Sequence, residues 1–250
     1  MTIELAKFSE AIYTMGQLLS LRSKSARPTN IVALRVLILG VLRSAGKAPV
    51  GAEPVDEASG GGPAAAVDPT AARLLTQMSE LLARLTATLA SSAQLWDCAA
   101  VFHRATGKRA LTVECRMKQS RALQAHASWE KEPEHVAALV AALSSLVEVH
   151  LEGPSTSDGA GAEVEDATAR KKALYTCRMT VASVRAKLEA HLNALPATAA
   201  AAAQDAAMRE APQQLAQLLV DIDGAIEHAE ETATATPSVA LPSAVTKTEL

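Results

Sequence analysis

Between Leu95 and Lys118 the chain reads LWDCAAVFHRATGKRALTVECRMK, which gathers Trp96, Cys98, His103, Cys115 and a run of bases. Three chemistries draw on such residues: zinc ligation, thiol nucleophilic catalysis and the gripping of an anionic partner. Zinc needs donors that converge at short spacing. On a helix Cys98 and His103 point about 140° apart, and none of the six histidines has a second histidine three or four residues away. No metal and no cofactor is expected. A catalytic thiol would need a histidine brought to it in space, but no local signature surrounds Cys98 or Cys115. The alternative, buried core thiols, is the reading adopted. Cys98, Cys115 and Cys177 form no C-x-x-C pair, which suits reduced thiols in an intracellular setting.

The bases are Arg104, Lys108, Arg109, Arg116, Lys118 and Arg121, with Glu114 the one acid among them. On a helix Arg109 and Arg116 share one face while Lys118 and Arg121 share another. There is thus no single groove-facing stripe, and no aromatic residues interleave to stack on bases. Nucleic acid is therefore not expected as a ligand. Two readings stay open: a solvated helix whose charges meet acids elsewhere in the fold, or a docking surface for an acidic partner segment. Reversing Arg116 and Lys118 is expected to change stability by roughly 0.5 kcal/mol or less. Glu132 and His135 have the Glu-x-x-His spacing of inward-facing carboxylate sites, but only once and across Pro133. Arg170, Lys171 and Lys172 stand at a helix start, where the macrodipole disfavours cations. They mark a contact or simply balance Glu163, Glu165 and Asp166. The glycines of ASGGGPAAA lack the lysine and helix of a phosphate loop. The terminal KTEL and Thr248–Leu250 are short matches to retrieval and carboxylate-docking motifs.

The elements that must position these residues are helices. Alanine dominates, aromatics are 2% and hydrophobic residues 49% of 250 residues, a composition that favours helix over sheet. Apolar stripes at three-and-four spacing predict a helix over 3–21 and a second, apolar nearly all round, from a cap at Thr29 or Asn30 to Gly46. A third runs from Pro69 to Thr106 along a seam of Ala71, Leu75, Met78, Leu82, Leu85, Leu89, Ser92, Trp96 and Ala99, ended by Gly107. The fourth spans 109–131, the fifth opens at Pro133, the sixth covers 164–195 and the last opens at Pro212. The fold class is all-α, an irregular up-and-down bundle of about seven helices with two flexible breaks. Residues 1–46 form an N-terminal helical pair, 47–68 a flexible linker, 69–231 the bundle with a loop at 153–163, and 232–250 a disordered tail. Ile31–Leu42 is too short to span a bilayer and contains Arg35, and the first residues lack a secretory h-region, so no membrane partner is expected. A net charge of −3 argues against a bulk polyanion binder.

The order FSEAIYTMGQLL, LWDCAA, ALTVECRMKQSRALQAHASW and ALYTCRMTVASVRAKLEAHL resembles the cyclin-D1-binding (Grap2 and cyclin-D-interacting) protein family over about two-thirds of the chain. Leu95, Trp96 and Cys98 would occupy that family's Trp segment, while the turn HRATGKRA departs from its pattern. The resemblance implies vinculin-like helical bundles, no enzymatic activity, and binding of cyclin-like or helix-loop-helix partners in the cytoplasm or nucleus. Residue patterns alone lead to a non-enzymatic adaptor that meets other proteins through helix faces. The alternatives are a small subunit of a larger helical complex, and an enzyme whose site assembles from dispersed His, Glu and Arg.

Overall fold

The computed structural model describes residues 2–21, 28–47, 68–152, 167–194 and 206–235. They form α1 (Thr2–Leu21), α2 (Pro28–Ser44), α3 (Pro69–Thr88), α4 (Ala93–Ala105), α5 (Arg109–Gln124), α6 (Pro133–Leu151), α7 (Ala167–Ala194) and α8 (Ala206–Ala235), plus a short 3₁₀ turn at Trp129–Lys131. No strand occurs among the described residues, and the protein is all-α. Of the expected 47–68 linker, residues 48–67 lie outside the described residues, as do the 153–163 loop and residues 236–250 of the expected 232–250 tail; residues 232–235 of that tail are helical and continue α8.

Two apolar cores organise the helices. The first joins α1, α2, α3 and α4 around Leu34, Ile38, Leu42, Met78, Leu82, Leu95 and Phe102. The second joins α6, α7 and α8 around Leu139, Leu143, Leu146, Leu174, Val181, Val184, Leu215 and Ile222. Helix α5 belongs to both, with Cys115 in the first and Leu123 in the second. The N-terminal helical pair therefore packs on α3 and α4, and the cores part along α5 rather than at the 47–68 linker.

Four sequence expectations change. The single helix from Pro69 to Thr106 is two. Helix α3 stops at Thr88, and Ser92 caps α4 by accepting a bond from the Leu95 N–H. The Trp96 indole N–H donates to the Ala90 carbonyl at 2.7 Å, satisfying a group that an unbroken helix would bond internally. Helix α5 ends at Gln124, not at Lys131, because Ser128 turns left-handed, with φ 63°, a conformation uncommon outside glycine. That turn drops Trp129 into the second core. Helix α8 begins at Ala206 with Pro212 inside it and reaches Ala235. Buried Met208 and Ala211 dock its first turns and offset the backbone bond that proline removes. Helix α2 starts at Pro28, upstream of its expected cap, and leaves Val32 and Val36 about two-thirds exposed. Gly107, at φ 75°, ends α4 as expected.

Helix α6 is long and apolar enough by composition to cross a membrane. Its apolar residues instead fill the second core, as Val136, Leu139, Leu143, Leu146 and Val147 are each at most 1% exposed.

Candidate functional site

The six bases of the 104–121 corner divide by which way their helix face turns. Arg104, in the last turn of α4, reaches α6, where it bonds Glu148 at 2.9 Å and also Glu152. Arg109, opening α5, donates from Nε to the Val149 carbonyl at 3.0 Å and from Nη2 to that of His150. It thus sets a cation at the negative end of α6. Arg116 is buried, 8% exposed. It bonds Asp97 of α4 at 2.5 Å and Gln119 at 2.6 Å, and its Nε donates to Ser145 of α6 at 3.1 Å. Asp97 also faces Arg35 of α2 at 3.5 Å. These three arginines are struts that fasten α4, α5 and α6 together, their charges answered by the protein's own acids and carbonyls. The expected harmlessness of reversing Arg116 does not survive this placement, since the reversal would bury a carboxylate against Asp97.

The other three point outward. Lys118 pairs with Glu114 at 2.6 Å and lies over the Trp96 ring, 4.8 Å from its centroid. Lys108 reaches Ser79, at 3.4 Å, and forms no ion pair among the described residues. Arg121, one helical turn beyond Lys118, is exposed and forms no ion pair among the described residues.

Arg121 and Gln124 of α5 form one wall of a groove whose other wall is a row on α7: Lys172, Tyr175, Thr176, Met179, Thr180 and Ser183. The row steps by three and four, so it is one helix face. It is distinct from the α7 core stripe of Leu174, Cys177, Val181, Val184 and Leu188. The groove encloses about 560 Å³ and is open to solvent. Two large apolar side chains stand in it uncovered, Met179 at 65% and Tyr175 at 44% exposure. Among the described residues no acid lines it, and Lys172 has no ion-pair partner there. The basic run at the start of α7 is thus divided, for Arg170 donates to the His150 carbonyl and Lys171 pairs with Glu230 of α8 at 2.6 Å. Lys172 lines the groove, while Lys171 Nζ lies 5.9 Å from the centroid of the Tyr175 ring. Sequence reasoning reached Arg121 and, within the 170–172 run, Lys172, but not the rest of the α7 wall, whose signal was a second three-and-four row carrying a methionine and a tyrosine beside the core stripe.

The three thiols are buried and free, and burial pushes each up to about 11. Protonated at neutral pH, they are poor nucleophiles. His103 is also buried, and burial, followed by the nearby Lys108 charge, lowers it to about 4. A third grouping adds one donor to the Glu132–His135 pair already marked by its spacing, at a place where no metal was expected. His126, in the turn after α5, joins Glu132 and His135 at the start of α6, with one donor atom from each lying within 4.8 Å of the others. Spacing marks the Glu132–His135 pair but gives no sign of His126, because that third donor converges on them across a turn.

Comparison with family models, with curated proteins and with solved structures gives no match to this chain.

Proposed function

We propose that the protein is a non-enzymatic helical-bundle adaptor that docks an acidic, amphipathic helix of a partner protein along the α5–α7 groove. The observation that carries this reading is the coincidence of exposed Met179 and Tyr175 with Arg121 and Lys172 in a groove that no acid lines among the described residues. An amphipathic helix laid in an apolar groove is a recurring mode of recognition. Methionine adapts to irregular apolar partners, and arginine and tyrosine are favoured at interfaces. Two cations with no ion pair among the described residues add steering and select acidic sequences. Three thiols held protonated by burial support the non-enzymatic part. The resemblance to the cyclin-D1-binding family adds a partner class, cyclin-like or helix-loop-helix regulators of the cell cycle, and a cytoplasmic or nuclear location.

A second reading, a structural subunit of a larger helical complex, is favoured by Val32 and Val36, which leave an apolar strip on the outside of α2. Affinity capture with identification of the partners separates the two. Recovery of a cyclin-like or helix-loop-helix protein, lost when Arg121 and Lys172 are both changed to Glu, is the outcome expected. Recovery of a fixed multi-subunit assembly that the double reversal leaves intact would favour the subunit reading.

A further inference from the structure

We infer that His126, Glu132 and His135 form a binding site for a borderline divalent transition ion, Zn²⁺ being the natural candidate. The site is separate from the α5–α7 groove and stands whether or not that groove docks a partner. Two imidazoles and one carboxylate are a donor set that zinc accepts, with bonds of about 2.0–2.2 Å. Bonds of that length at tetrahedral angles place donor atoms roughly 3.3–3.5 Å apart. Here His135 Nδ1 lies 2.6 Å from one Glu132 oxygen and His126 Nδ1 lies 3.7 Å from the other. Shifts of about an ångström in side chains at the surface would therefore bring the three donors to bonding distance of one ion.

Three further features favour an ion over a plain histidine–glutamate contact. First, no Lys or Arg pairs with Glu132 among the described residues, and the groups that face its carboxylate are the two histidines. Second, His135 Nδ1 is buried and makes no hydrogen bond, because the close carboxylate oxygen lies off the direction a ring N–H would need. Third, the two rings are stacked with centroids 4.5 Å apart and planes 21° from parallel, which sets both Nδ1 atoms on the carboxylate side.

The backbone holds these donors on a built turn. Glu132 is the residue before Pro133, whose ring fixes its own φ and restricts the preceding residue to the extended backbone that Glu132 adopts here. His135 follows three residues later in the first turn of α6, so both project from the same helix end. His126 is tied in from the other side, where the left-handed Ser128 and the buried Trp129 close the turn between α5 and α6. Three protein donors leave at least one coordination position for water. The turn opens onto a surface groove formed by His126, Trp129, Lys187 and His191, and the exposed ring of His126 reaches that solvent.

The test is a calorimetric titration of the untagged full chain, stripped with a chelator, with Zn²⁺ as the sole added metal. One equivalent binding at micromolar or tighter affinity is expected in the wild type. His126→Ala and His135→Ala should each weaken it at least tenfold, and Glu132→Gln should do so to a similar degree. His228→Ala, on α8 and outside the cluster, should leave it unchanged. Far-UV circular dichroism of each variant keeps loss of the site apart from loss of the fold. The Co²⁺-loaded protein should show visible d–d bands that disappear in His135→Ala. Binding weaker than millimolar, or one-equivalent binding that survives the His126→Ala/His135→Ala double change, would overturn the inference.

Discussion

Among single residues, burial decides which charged groups are structural. Arg116 is buried and answered by Asp97, Gln119 and Ser145, whereas Arg121 on the same helix stands in solvent. Arg116→Glu should lower stability by about 3–5 kcal/mol, the cost of leaving a buried charge uncompensated. Arg121→Glu should move it by roughly 0.5 kcal/mol or less. Urea unfolding of the two variants checks both, and equal losses would mean that the strut is misplaced. His103 gives a pH prediction. Its unfolded-state pKa is near 6.5 and burial holds the folded value at about 4. Between these values the unfolded chain binds more protons, so the contribution of His103 to stability is complete above the unfolded value and is lost as pH falls toward the folded one. The loss on going from neutral pH to about pH 4.5 should be smaller by roughly 2 kcal/mol in His103→Gln than in the wild type. Identical pH profiles would show that the imidazole is already solvated in the native protein.

Among the helices, most of what was legible came from periodicity. Helix existence, the proline at Pro133, the glycine at Gly107 and the core stripes of α7 and α8 could all be read, because three-and-four spacing and capping chemistry are local. The break between α3 and α4 could not, because a seam that continues through Ser92 hides it. The deciding contact, Trp96 to the Ala90 carbonyl, spans six residues and depends on tertiary packing. The same held for the site. Arg121 was legible as a base, but sequence could not show that Arg104 and Arg109 are consumed by α6 and Arg116 by Asp97 of α4 with Ser145 of α6, or that α7 would supply Met179 and Tyr175. The Trp96 ring is 7% exposed in the first core, and its indole holds the break between α3 and α4. Trp96→Ala should therefore cost about 3–5 kcal/mol. Gly40 tests a helix–helix approach. A Cβ there would come within 2.8 Å of the Phe8 ring. Gly40→Ala should accordingly destabilise by about 1–3 kcal/mol as α1 is pushed off α2. Thermal unfolding reads both, and an unchanged Tm for Gly40→Ala would show that Phe8 moves aside freely.

In the molecule as a whole, two cores hinged on one helix leave the outer face of α7 beside α5 uncovered, and that face is where docking is proposed. The decisive measurement is photo-crosslinking in the cell from an amino acid placed at Met179, with Val32 on α2 as the comparison position. Met179 should yield a discrete adduct with an acidic helical protein, abolished when Arg121 and Lys172 are changed to Glu while the melting temperature holds, and Val32 should yield none. An adduct from Val32 alone, or one from Met179 that persists through the charge reversal, would contradict docking in this groove.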